Sequence, residues 1–487
     1  MKNFRLLLIA SVFVGLAQTG LAQNQLVVYP APQGAELKDD FTVKVREAGG
    51  EEWQTIDTYA VKVDEVRGPK HHVELASLAY FDFNGEVEVS VTSRRGKIET
   101  GQVRPLSYQI VPQLNDSTLT FRLDRPRNLS VEVNGDIFHN LHLFAGPIDE
   151  NNPLKPGMSP KKLKKNRNLI YFGPGIHQLP GDTLDVPSGK TVYVAGGAVV
   201  KGCIRAHGVE NVHILGRGKV HPEGRGAGIS IKQSKHVTVE GLITTQCPTG
   251  GSDSIVIRNV KCISSYNWGD GLNVFASNNV LFDGVFCRTS DDCTTVYGTR
   301  FEFTGGCRNI TMQNSTLWAD VAHPIFIGIH GNVENPEILE NLNYINIDIL
   351  DHKEMQVDYQ GCLAINAGDE NLVRNVRFEN IRIENFRQGQ LLNLRIFFNE
   401  KYCKAPGRGI ENVLFKDISY TGDRASASII EGYNEQRRVK NIRFENLRIN
   451  GQLISDDMPD KPKWYKTSDM MGMYVGPHTE GIKFVSF

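Results

Sequence analysis

A short pattern returns along the C-terminal two thirds of this chain: Asn, apolar, any, apolar, any, Asn or Gly, apolar. Copies begin at Glu210 (ENVHIL), Lys235 (KHVTVEGL), Asp253 (DSIVIRNV), Asn278 (NNVLFDGV), Arg308 (RNITMQNS), Glu340 (ENLNYINI), Arg374 (RNVRFENI), Glu411 (ENVLFKDI) and Lys440 (KNIRFENL), 18 to 37 residues apart. Each copy encodes strands too short to bury an apolar face alone. Stacking the copies pairs every strand with its equivalent one rung above and below, which buries a continuous apolar column and leaves sheet edges only at the two ends. The expected fold is therefore all-β, a right-handed parallel β-helix over residues 168–487. The recurring Asn fits a turn residue that tolerates left-handed backbone and bonds its neighbours along the stack, so it carries no catalytic assignment.

Ahead of the repeat, residues 23–150 give short alternating runs such as FTVKV, VEVSVTS and LTFRL, broken by Gly, Pro, Asn and Asp. Period-two alternation at this spacing predicts an antiparallel β-sandwich. Residues 151–167 are polar and Lys-rich and read as a linker. Residues 1–22 have the form of a signal peptide: Lys2 and Arg5, an apolar run from Leu6 to Leu16, then Gly20-Leu21-Ala22 before Gln23. The expected location is periplasmic or extracellular.

The net charge of −1 lacks the basic excess that nucleic acid or an anionic membrane surface demands. Eight cysteines show no CxxC metal pattern, and a chain this long needs no disulfide framework. Buried thiols and one or two disulfides both fit, and Cys262 and Cys287 sit about one repeat apart. No metal or other cofactor is implied.

Between Tyr266 and Gly298 lie three aspartates in two turn-like sites: Asp270 in Gly-Asp-Gly, and the pair Asp291 and Asp292. In a β-helix, matching places on successive rungs are about 4.8 Å apart. One rung of sequence separates the two turns, so the three carboxyls are expected on one face. An inverting glycosidase needs such a set, one protonated carboxyl to donate to the leaving oxygen and a carboxylate to activate water. Crowding of like charges is expected to raise at least one of their pKa values.

WGDGLNV, then SDDCTTV, then WADVAHPIFIG resembles the active-site series of glycoside hydrolase family 28, the polygalacturonases, and of the related family 49, the dextranases and isopullulanases. Family 49 is similar in further places, with a β-sandwich ahead of the β-helix and likeness at NLHLFAGP, LIYFGPGIHQL and VYVAGGAVVKG. The resemblance implies Asp291 as general acid, Asp270 and Asp292 as the pair that holds and activates water, and His323 as a histidine that tunes the acid and touches substrate. His330, in IGIHGN, is a second histidine candidate.

Two departures bear on substrate. Where family 28 has an Asn before its first Asp, this chain has Trp268, and where it has a later Asp, this chain has Asn273. The pectin enzymes also place Arg-Ile-Lys on a later rung to pair the uronate carboxylate, but the equivalent stretch here, Gly361 to Asp369, contains Asn366 and neither Arg nor Lys. Arg395 and Lys401 stand on a neighbouring rung. Trp268 and Tyr297 flank the aspartates as sugar-stacking candidates, followed by Tyr433, with Trp318, Tyr359 and Trp464 also available. The expected activity is a secreted inverting hydrolase of α-glycosidic bonds in a polysaccharide or its oligosaccharides, other than plain polygalacturonate. Pectin-type hydrolysis, a lyase using a basic residue as proton acceptor (Arg288 is the one nearby), and a non-catalytic glycan-binding β-helix stand as alternatives.

Overall fold

The computed structural model describes residues 25–66, 72–155, 158–266 and 268–487; the signal-peptide segment lies outside the described residues. The N-terminal domain is a sandwich of two sheets. One runs Gln54–Ile56, Phe41–Glu47, Val87–Ser93, Thr118–Leu123, Gln113–Asn115, and all its pairs are antiparallel. The alternation of VEVSVTS appears directly as alternating buried and half-buried residues over Val87–Ser93. Val43, Val89, Val91 and Leu119 point inward to meet Phe81, Leu129, Val131 and Leu143 of the other sheet.

The second sheet departs from the antiparallel expectation. Its strands Asp136–Pro147 and His72–Asn84 pair in parallel, with Leu141 opposite Ser77 and Phe144 opposite Tyr80. The physical reason is that this sheet is covered on both faces, the condition under which parallel strands are found. One face closes the sandwich core. The other, bearing Tyr59, Val63, Ala76, Leu78 and Phe144, lies on Val199, Ile243, Ile263, Phe286, Trp318 and Leu350 of the following domain. Buried polar links cross the seam, among them Arg217 to Asp82 at 2.7 Å, Arg104 to Glu384 at 2.6 Å and Arg288 to Asn140 at 2.8 Å.

From Leu169 onward a 30-stranded sheet winds as a right-handed parallel β-helix. The first residues of the nine sequence copies fall in register, Glu210 on Lys235, Asp253, Asn278, Arg308, Glu340, Arg374, Glu411 and Lys440. Asn279, Asn309, Asn341, Asn375, Asn412 and Asn441 all adopt positive φ. Each side-chain amide from Asn309 to Asn441 donates to the Asn one rung before it, at 2.9–3.4 Å. A second ladder links Asn380, Asn346, Asn314 and Asp283. Inside, Tyr344, Phe378, Phe415, Phe444 and Phe484 stack with centroids 4.6–5.3 Å apart, close to the strand spacing. All eight cysteines are thiols, seven of them buried, and Cys262 lies opposite Cys287 on adjacent rungs.

Candidate active site

The site begins with two tight turns that touch. Strands Leu272–Phe275 and Thr294–Tyr297 pair in parallel, Leu272 on Thr294 and Phe275 on Tyr297. The register continues through the turns, because the amide of Gly271 donates to the carbonyl of Asp292 at 3.0 Å. Asp270 and Asp292 are thereby neighbours on successive rungs. The glycines beside Asp270 are dictated by this approach: a Cβ on Gly271 would meet the Cys293 carbonyl at 2.5 Å, and one on Gly269 the Ser290 hydroxyl at 2.4 Å. Ser264 donates to the Asp270 carbonyl at 2.9 Å, Ser290 to the Tyr266 carbonyl, and Thr289 to the Asp291 carbonyl at 2.7 Å.

Asp292 is held through both of its carboxylate oxygens. Its Oδ1 accepts from the His323 amide at 3.0 Å and faces His323 Nδ1 at 2.7 Å, and its Oδ2 accepts from the Tyr297 hydroxyl at 3.3 Å. Asp270 Oδ2 accepts from the Asn273 side chain at 2.6 Å. Asp291 Oδ1 accepts from the Asp292 amide at 3.1 Å. Asp291 and Asp292 are 8% and 6% exposed, whereas Asp270 is half-buried, so the trio sits in a recess that opens at Asp270.

Several candidates take different roles from those expected. His323 is fully buried, its Nε2 lies 2.6 Å from the Tyr359 carbonyl and its ring stacks on Phe326 at 4.2 Å. The acid it contacts is Asp292. Burial opposes the imidazolium, but the Asp292 carboxylate and the hydrogen bond to it win, and the His323 pKa lies above its ordinary value. Asn273 and Tyr297 are also buried; the first positions Asp270, and the second packs on Phe275 and offers its hydroxyl to Asp292 in place of a stacking face. Burial, then the nearby Asp292, hold the Tyr297 phenol protonated. Asn366 is fully buried and donates to Asn393 at 3.0 Å, which removes it from the substrate face.

Trp268, two residues before Asp270, is 58% exposed, with the Arg225 guanidinium 4.7 Å from its ring centre. His330 is half-buried, edge-on to Tyr297 at 4.9 Å, and burial with the Arg300 charge drives its pKa down to about 3. Arg395 lies three rungs beyond Tyr297, roughly 14 Å along the stack at the strand spacing, donating to the Asp358 carbonyl and 3.5 Å from Glu431. Lys401 bonds Gln356 at 3.1 Å, and Tyr433 meets Phe398 edge-on at the same distal end. Trp318 is fully buried at the domain seam beneath Arg288, at 4.0 Å, and Tyr359 is 8% exposed. Trp464 is exposed.

Sequence reading missed Asp64 and the seryl hydroxyls. A carboxylate oxygen of Asp64, from the sandwich, accepts from the Tyr266 amide at 2.7 Å and so ties the Asp270 loop to the other domain. No local pattern marks it, since the partners are 202 residues apart. Ser290 does carry a signal, standing directly before Asp291, whereas Ser264 lies six residues before Asp270 and carries none.

The profile of Glycosyl hydrolases family 28 matches residues 204–462. Among solved structures, Dex49A from Penicillium minioluteum superimposes with a TM-score of 0.61 at 13% identity, over 92% of this chain and 96% of that one. A Yersinia enterocolitica family 28 exopolygalacturonase gives 0.43 at 11% identity, over 83% and 97%. No curated protein sequence matches. The family match covers more than half of the chain, across the rungs that bear all three aspartates and His323, and the chain belongs to Glycosyl hydrolases family 28.

Proposed function

We propose that this glycoside hydrolase cleaves α-glycosidic bonds of a polysaccharide or its oligosaccharides with inversion, Asp291 acting as general acid and Asp270 with Asp292 holding and activating the water. The register that stacks Asp270 on Asp292 carries this reading, because it gathers three carboxyls into one recess. The hydrogen bonds support the division of labour. Both oxygens of Asp292 already receive donors, which suits a carboxylate that binds water and accepts its proton. Asp291 accepts from the Asp292 amide within its own turn, which fixes the carboxyl beside the pair that would hold the water. In the reaction Asp291 donates its proton as the glycosidic C–O bond breaks, and water attacks the opposite face while losing a proton to the Asp270–Asp292 pair.

Asp291→Asn should lower turnover by about a thousandfold or more with an unchanged melting temperature, and a fully active variant sinks the assignment. The first-formed anomer, followed by proton NMR, should be inverted. The substrate reading stays with glycans other than plain polygalacturonate, supported by the absence of Arg and Lys from Gly361 to Asp369. A lyase is disfavoured by Arg288, which is fully buried and held at 2.8 and 3.1 Å by Asp320; unsaturated products would revive it. Export is part of this proposal, supported by the form of residues 1–22, and the exported protein should begin at Gln23 on N-terminal sequencing.

A further inference from the structure

A cavity of about 420 Å³ lies between the sandwich and the early rungs, walled by Tyr59 and Lys62 on one side and Lys201, Lys219 and Arg225 on the other. Ser264 and Ser265 also line it, and Ser264 is the residue that holds the Asp270 carbonyl. Arg225 lies over Trp268, whose carbonyl accepts from Gln246, another wall residue, at 3.1 Å. The loop that presents Asp270 to the recess therefore borders this cavity as well.

Lys219 is the feature that asks for an occupant. It is 9% exposed, and the register Lys219, Ile243, Lys261 puts it two rungs before a second buried lysine under the same sheet. Lys261 is satisfied, donating to the Asn259 carbonyl at 2.9 Å and to its side-chain oxygen at 2.8 Å. Lys219 has no hydrogen bond or ion pair among the described residues; its ammonium rests 4.6 Å from the Tyr59 ring centre. The ammonium borders the cavity, where Glu36 is the carboxylate whose charge acts on it, and the cavity gives room for a direct anionic acceptor. Lys62 and Arg225 add positive charge, while Lys201 is shared with Glu223 at 3.2 Å.

We propose that this cavity is a subsite for a negatively charged sugar residue whose carboxylate or sulfate ester pairs with Lys219, so that the glycan cleaved at the aspartates carries acidic groups away from the scissile bond. The second half rests on the function proposed above. It accommodates the stretch Gly361 to Asp369, which offers no cation on the rungs past the aspartates, since the cation here is on the opposite side of them.

The test measures binding by calorimetry to full-length Asp291→Asn protein, using trigalacturonate, galactose 4-sulfate, isomaltotriose and inorganic sulfate. At least one anionic sugar should bind, with isomaltotriose at least tenfold weaker, and which one binds separates uronate from sulfate ester. Lys219→Met and Lys219→Gln should each weaken that binding about ten- to a hundredfold, the worth of a charged hydrogen bond, whereas Lys261→Met should leave it unchanged. Affinity should also fall as pH rises through about 8, because burial lowers Lys219 to about 8 and an unprotonated amine attracts no anion. The groups facing it are Glu36, Tyr59 and Lys62 from the sandwich and Lys201, His221, Glu223 and Arg225 from the β-helix. Burial moves Tyr59 up to about 12 and His221 below its ordinary value, so neither supplies that step. Absence of binding by both anionic sugars, affinity indifferent to both Lys219 variants, or inorganic sulfate binding as tightly as the sugars would each overturn the subsite. Retained turnover in Asp291→Asn would instead overturn the catalytic assignment and leave the Lys219 result standing.

Discussion

Asp292 and His323 form a pair in which neither group faces bulk water, and that makes the histidine a positioning residue. Its amide and Nδ1 fix one oxygen of Asp292, while the Tyr359 carbonyl fixes its other ring nitrogen. Replacing it by Gln removes the cation and the stacking on Phe326 but leaves the three carboxyls in place. A misplacement of about 1 Å in such a group costs on the order of a hundredfold in rate, so His323→Gln should lower kcat by about that factor with little change in KM. The pair also has a pH signature. The folded pKa of His323 is above its ordinary 6.5, so the pair's contribution to stability is complete below pH 6.5 and is lost as pH rises through the folded value. Melting temperatures should therefore decline on the alkaline side more steeply for the natural protein than for His323→Gln. Equal slopes would show that the pair contributes nothing through its charge.

The rung is the element that the sequence encodes most openly, and its asparagines are the reason. Asn309 holds φ at 59° and stands between Asn279 and Asn341 in the ladder, accepting from one and donating to the other. Asn309→Ala should cost about 1–3 kcal/mol in urea unfolding, from left-handed strain plus two exposed hydrogen bonds. Asn309→Gly, which keeps the backbone freedom, should cost less, and turnover should be unchanged in both. Because every turn needs the same backbone conformation, the same residue recurs, and the nine copies in the sequence agree with the observed register. The three aspartates were readable for the same cause, since rung spacing converts sequence distance into spatial distance. The partners of the side chains were not. Nothing within HPIFIG tells that His323 turns inward to Asp292, and nothing in Tyr297 tells that its ring is covered by Phe275 and Phe326. Those outcomes depend on loops from other rungs, such as the one carrying Tyr359.

At the scale of the whole molecule, the sandwich is a brace for the catalytic rungs, a role that alternating strands cannot announce because it is written in contacts between distant segments. Its centre is Arg288, which is fully buried, bidentate on Asp320, bonded to Asn140 of the sandwich and stacked over Trp318. Arg387 adds a second cation to Asp320 at 3.2 Å. The strand that carries Arg288, Phe286–Thr289, leads directly into Ser290, Asp291 and Asp292, so the seam and the site share a backbone. Removing one partner of such a buried pair leaves the other charge uncompensated, at a cost of about 3–5 kcal/mol. Asp320→Ala should therefore lower the melting temperature, speed proteolysis near the domain junction and reduce turnover, because an uncompensated Arg288 would shift its own strand and with it the Asp291–Asp292 turn. The double variant Arg288→Met with Asp320→Leu replaces the pair by apolar groups of similar volume and should recover most of the lost stability. Recovery of stability without recovery of turnover would mean that Arg288 also orients the Asp291 turn. A single Asp320→Ala variant as stable and as active as the natural protein would show that the apolar seam alone, from Val199 to Leu350, holds the two domains together.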